Sequence, residues 1–130
     1  MLHIVYFCFN NYDLLIGENY DFLERNRKKI TLIDDHSSED EWLKGEDISK
    51  KLNLRLFLNP RKGIQEGLDY FIKAFCSNSD WILIVQQDVR FQDAIAVERI
   101  EKKIKIINSR GYDIGAFGFP NYIPDTHYHK

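Results

Sequence analysis

At 130 residues the chain has the length of one domain and enough material for one hydrophobic core. Its 18 basic and 20 acidic residues leave a net charge of -2, which removes the electrostatic case for a nucleic-acid partner. No apolar run reaches the length of a transmembrane segment, and residues 1–4 are too short and lack the basic flank of a signal peptide. Cys8 and Cys76 stand in no CxxC or other metal spacing, so two free, buried thiols in a cytoplasmic protein are expected.

Residues 2–9 are apolar apart from His3 and read as a first strand, broken at Asn10 and Asn11. Residues 12–29 carry Leu14, Leu15, Tyr20, Phe22 and Leu23 at helical spacing, with Gly17 and Asn19 weakening the first half. Residues 30–33 form a second buried strand that runs into Asp34 and Asp35. Ser38 and Glu41 have capping-box spacing and open a helix that Gly45 ends or kinks. Residues 53–58 alternate as a third strand, stopped at Asn59-Pro60. Leu68, Phe71, Ile72 and Phe75 fall at i, i+3, i+4, i+7, one face of a helix. Residues 81–89 begin as an apolar run with the pattern of a strand buried on both faces and end in Gln86, Gln87 and Asp88. Val97, Ile100, Ile104 and Ile107 mark another helix, stopped at Gly111, and residues 112–119 read as a fifth strand. Alternating strands and helices predict an α/β fold in three layers, a mainly parallel sheet with helices on both faces.

Two apolar strands that end in acids deliver those acids to the carboxyl edge of a parallel sheet, where ligands of such sheets bind. One of Asp34 and Asp35 is expected to cap the following helix and the other to accept hydrogen bonds from a base or ribose. Asp88, beside the amides of Gln86 and Gln87, is a candidate ligand for a hard cation, although by itself it reads better as a loop acid bonded to nearby backbone. Gly63 and Gly67, with Arg61 and Lys62, mark a turn where backbone can approach a phosphate at a helix N-terminus, or a plain turn with a solvated basic pair. The Gly-Lys-Ser/Thr ending of a P-loop is absent. His36, next to Asp35, could touch a ligand but reads more simply as a solvated loop histidine; His127 and His129, two apart, could bind a metal but read more simply as a frayed polar terminus, and no Cys/His pair can be placed.

In this order the motifs resemble the nucleotide-sugar-binding half of the GT-A glycosyltransferases, inverting family 2 above all. The residues that carry the resemblance are Phe7-Cys8-Phe9-Asn10-Asn11 at the end of the first strand and Leu32-Ile33-Asp34-Asp35-His36-Ser37 against the family's Asp-Asp-x-Ser. They continue with Asn59, Gly63, Gly67 and Asp69, and with Val85-Gln86-Gln87-Asp88 in the place of the acidic Asp-x-Asp motif. The resemblance spans about residues 2–119. It implies that Asp35, with Asp34 close by, contacts the base and ribose of a nucleoside diphosphate sugar. Phe9 and Asn10 would line the base pocket, Gly63, Gln86 and Gln87 would lie along the donor, and Asp88 would hold Mn²⁺ or Mg²⁺ against the diphosphate, transfer proceeding with inversion. Such a metal neutralises the leaving group.

Two departures qualify this expectation. Gln86 replaces the first acid of the motif; an amide can bond a ribose hydroxyl but brings a metal no charge. The acceptor-binding half and its general base also have no counterpart, and neither Asp113 nor Asp125 matches a family position. The expectation is therefore a donor-binding domain over residues 1–130, a fragment or truncated relative that self-associates or takes its missing half from a partner. The alternative is a non-catalytic nucleotide-sugar-binding module. A receiver-like domain fits least, because the first strand ends in Asn10-Asn11 rather than in acids.

Overall fold

A computed structural model of the chain describes residues 1–91 and 96–111. The predicted fifth strand, Asp113, Asp125 and the two terminal histidines lie outside the described residues. Contacts divide the chain into two compact units, residues 1–97 and 98–130. The first holds the sheet and three helices, and the second holds most of the fourth.

β1 (Leu2–Cys8) is buried at all seven positions, which is what a run without polar alternation requires of a strand. It is flanked by β2 (Ile30–Asp34) and β4 (Trp81–Gln86), with β3 (Arg55–Leu58) beyond β2, so the order is β3-β2-β1-β4 and every pairing is parallel. Cys8 pairs with Asp34, and Phe7 pairs with Gln86 on the other side. The doubly buried strand of the expectation is β1 rather than β4. In β4 only Val85 is buried and Ile84 is 48% exposed, because β4 stands at the edge of the four described strands. An apolar run shows that a segment is a strand but not how many neighbours it has.

The pleat sends alternate β1 side chains to opposite faces. Val5 and Phe7 meet Ile33 and Phe71 on one face, so α3 (Ile64–Phe75) covers that side. On the other face Asp34 meets Tyr12, the first residue of α1 (Tyr12–Arg25), and α1 packs against α2 (Glu39–Leu52). The protein is thus α/β with a parallel sheet between helical layers. Chain order runs β1, β2, β3 in one direction across the sheet, then returns past β1 to β4, so the winding reverses between β1 and β4. α4 (Ala96–Ser109) carries the predicted stripe and is followed by Gly111 at φ 69°. The α3 stripe is narrower than its spacing predicts. Gly67 and Phe71 are buried, whereas Ile72 is 43% exposed and Phe75 lies beneath the Arg55 guanidinium, 4.1 Å from the ring centroid.

Both expected weak points are helical, and each has a packing reason. Asn19, buried within α1, donates through Nδ2 to the Val89 carbonyl at 2.9 Å and so ties the segment after β4 to the helix. Gly45 does not end α2: a Cβ there would stand 2.7 Å from Cζ of Tyr12, so glycine lets the Tyr12 ring lie against the helix. Ser38 caps α2 by accepting from the Glu41 N–H, but Glu41 does not complete the box. Its carboxylate instead accepts from the Tyr12 N–H at 3.0 Å and so caps α1.

Gly45→Ala is expected to lower stability by about 1–3 kcal/mol in urea unfolding, the usual cost of overpacking. Gly17→Ala, with nothing within 4 Å of its new methyl, is expected to raise it by about 0.5–1 kcal/mol. Equal effects would contradict the packing assigned to Tyr12. The Tyr12 N–H, then Lys44, hold the Glu41 carboxyl below its ordinary range. A depressed folded pKa stabilises the fold above the unfolded value and ceases to do so as pH falls through the folded one. The stability gap between the parent and Glu41→Gln should therefore narrow below about pH 4.5, near the unperturbed glutamate value.

Candidate functional site at the carboxyl edge

The winding reverses between β1 and β4, and ligands of parallel α/β sheets bind outside the carboxyl ends of the strands at such a point. Asn10 and Asn11 turn the chain out of β1 with φ of 52° and 55°, left-handed values that asparagine tolerates better than most residues. Gln87 bridges from the end of β4 to the loop after β1. Its Oε1 accepts from the Phe9 N–H at 2.7 Å, and its Nε2 donates to the Asn10 carbonyl at 2.5 Å. Asn10 is held from the other side as well: its N–H donates to Ser37 Oγ at 2.7 Å, and its Oδ1 accepts from the Ser38 N–H at 2.9 Å. The Gln87 amide, expected along the donor, and the Asn10 side-chain oxygen, expected in the base pocket, instead join the loops after β1, β2 and β4. The Phe9 side chain is left 57% exposed beside them.

The two acids of the second strand have separate roles. Asp34 is still in β2, is fully buried and accepts from the Tyr12 hydroxyl at 2.6 Å and the Ser37 N–H at 2.9 Å. Burial, the neighbouring Cys8 and the bond to Asp34 push the Tyr12 hydroxyl pKa far up. Burial does the same to Cys8, next to Asp34, so this thiol is no nucleophile. Neither acid caps α2, which Ser38 does instead. Asp35 lies in the loop and is half-buried. Its Oδ1 accepts from the Gly63 N–H at 3.0 Å and Asn59 Nδ2 at 3.1 Å, while Oδ2 makes no hydrogen bond among the described residues. Asn59 also donates to the Gly63 carbonyl at 2.8 Å. Gly67 gives Asn59 room, since a Cβ there would be 3.0 Å from its Nδ2. Gly63, at φ 111°, begins α3, so Asn59, Gly63 and Gly67 brace the β3–α3 turn against Asp35. His36, also left-handed at φ 65°, has its Nε2 buried with no hydrogen-bond partner among the described residues.

Gln86 and Asp88 are both exposed, in a turn closed by the Val89 N–H to the Gln86 carbonyl at 3.1 Å. Gln87 holds one side of this turn. Asn19 and the stacking of Phe91 on Phe22, centroids 4.1 Å apart, hold the other. Asp88 makes no hydrogen bond or ion pair among the described residues, so a fixed backbone presents an uncommitted carboxylate. β2 and β4 are the two neighbours of β1, so their ends stand two strand spacings, about 10 Å, apart.

Among the described residues, three metal-competent side chains gather only at the opposite, amino edge. A ring nitrogen of His3, Sγ of Cys76 and a carboxylate oxygen of Asp80 all lie within 4.8 Å of one another. This corrects the expectation that no Cys/His pair can be placed and that both thiols are buried: Cys8 is buried, Cys76 only partly. The available signal was His3, the polar residue in an apolar strand. Using it required knowing that β1 pairs in parallel with β4, which brings Met1, His3 and Asp80 to one end of the sheet. No helix among the described residues is long and apolar enough to cross a membrane.

Tyr12→Phe removes the hydroxyl from a fully buried carboxylate and is expected to cost about 1–3 kcal/mol in urea unfolding. A neutral substitution would show that Asp34 does not depend on Tyr12. Comparison of the chain with protein-family models, curated proteins and solved structures finds no match, and the chemistry of the edge is read from its own residues.

Proposed function

We propose that the carboxyl edge binds a nucleoside diphosphate sugar and that the chain is a glycosyltransferase-like donor domain. The observation that supports this most is that the winding reverses between β1 and β4 while the loops at that edge carry a free oxygen of Asp35, after β2, and the uncommitted Asp88, after β4. In this reading the exposed Phe9 ring stacks on the base, and Asp35 Oδ2 accepts from the base or ribose. Asp34 takes no part, because its carboxylate is consumed by Tyr12 and Ser37. Asp88 holds Mg²⁺ or Mn²⁺ against the diphosphate. One exposed carboxylate is compatible with such a site, since these ions are commonly bound by one or two carboxylates with substrate phosphates and waters. Bound there, the metal would neutralise the departing diphosphate.

A second reading, binding without turnover, is favoured by Gln86 and Gln87. One brings the metal no charge, and the other is occupied by the Phe9 and Asn10 backbone. One set of measurements separates the two. Thermal unfolding with UDP, GDP, CDP or dTDP, each with and without Mn²⁺, should show one nucleotide raising Tm by about 10 °C at a hundred times its Kd. Asp88→Asn should remove the Mn²⁺-dependent part of the shift, and Asp35→Asn should weaken binding with or without metal. Release of nucleoside diphosphate from the matching sugar donor then marks an enzyme, and binding without release marks the module. No shift with any nucleotide would overturn both.

A further inference from the structure

We infer that His3, Cys76 and Asp80 form a site for a borderline-soft divalent cation, Zn²⁺ in particular, at the amino edge of the sheet. It is independent of the carboxyl-edge reading. The three donors come from three elements whose ends are already fixed. His3 is 6% exposed in β1, and its ring stands edge-on to Phe71, centroids 5.5 Å apart at 82°. Cys76 caps the carboxyl end of α3, its N–H bonded to the Ile72 carbonyl at 3.1 Å. Asp80 closes the 77–80 turn just before β4, accepting from the Ser77 N–H at 2.9 Å, with the Asp80 N–H returned to the Ser77 carbonyl at 3.1 Å.

The donor set selects the ion. Imidazole nitrogen, thiolate sulfur and carboxylate oxygen together suit zinc, whereas Mg²⁺ and Mn²⁺ prefer oxygen alone. Thiolate and carboxylate supply two negative charges, which neutralise a divalent cation in a partly buried place. Tetrahedral zinc with bonds of about 2.0–2.3 Å needs its donors about 3.3–3.7 Å apart. A set already within 4.8 Å reaches that by side-chain adjustment. In the absence of metal, Asp80 Oδ2 pairs with His3 Nε2 at 2.9 Å and Oδ1 lies 3.2 Å from the Met1 amino group. The cation would take the place of the proton shared with His3. Three protein ligands leave the fourth position to water or a small anion, the arrangement of an open zinc site.

Tag-free, chelator-treated protein titrated with Co²⁺ tests this directly. The expected result is one equivalent bound with a thiolate-to-cobalt charge-transfer absorption and the strong visible bands of four-coordinate cobalt, both displaced by Zn²⁺. Cys76→Ser should abolish the charge-transfer band, while Cys8→Ser keeps it. A His127→Ala/His129→Ala double variant should also keep it, separating the site from the terminal histidines. His3→Gln should weaken binding by more than roughly tenfold, since even losing an outer-shell partner of a metal ligand costs that much. Zn²⁺ should raise Tm in the parent and not in Cys76→Ser. That variant alters a partly exposed helix-end residue, and its fold is checked by far-UV circular dichroism. No stoichiometric thiolate band in the parent, or a band that survives Cys76→Ser, overturns the site and leaves His3–Asp80 an ordinary hydrogen-bonded pair.

Discussion

The bond from the Tyr12 hydroxyl to Asp34 is the constraint on which the rest of this architecture turns. A fully buried carboxylate is tolerable only when its oxygens are satisfied, and here Tyr12 and the Ser37 N–H do so. That requirement reaches outward. Tyr12 must begin α1 directly after β1, which forces the chain through two left-handed asparagines. Its ring lies close against α2, which demands glycine at position 45. Its N–H needs an acceptor, and Glu41 of α2 supplies it. One pair thus sets the exit of β1, the exit of β2 and the seating of both helices on that face.

Side-chain amides build the carboxyl edge around this pair. Gln87 joins the β4 turn to the loop after β1, Asn10 joins that loop to the start of α2, and Asn59 joins the β3–α3 turn to Asp35. Each such bond contributes only about 1 kcal/mol net, but together they hold four loops in one arrangement. Loops held in this way would lower the ordering cost of the binding proposed for that edge. What remains uncommitted is small and chemically distinct: an exposed aromatic ring at Phe9, one oxygen of Asp35 and the carboxylate of Asp88.

The two edges of the sheet differ in donor chemistry. The carboxyl edge offers hard oxygen donors on its loops, the donor type that suits hard cations such as Mg²⁺. The amino edge offers nitrogen, sulfur and oxygen in a partly buried cluster behind Phe71. Ser77 and then His3 hold the Asp80 carboxyl well below the usual range.

The sequence by itself determined the succession of strands and helices, the parallel α/β class and the delivery of acids to one edge. Those follow from local periodicity and from the apolar runs that end at Asp34 and before Gln86. It also pointed to Ser38 as a cap and to Gly111 as a stop, because both signals act within a turn of chain. Tertiary structure alone decided which strand is central, since β1 and β4 are both apolar and only pairing distinguishes them. It decided that Asp34 is spent in the core while Asp35 is not, although the two are adjacent, because β2 ends at Asp34 and Asp35 already stands in the loop. It decided that Asn19 and Gly45 belong inside helices, because their partners, Val89 and Tyr12, are distant in the chain. The meeting of His3 with Cys76 and Asp80 was equally invisible, for it depends on a parallel pairing between segments nearly eighty residues apart.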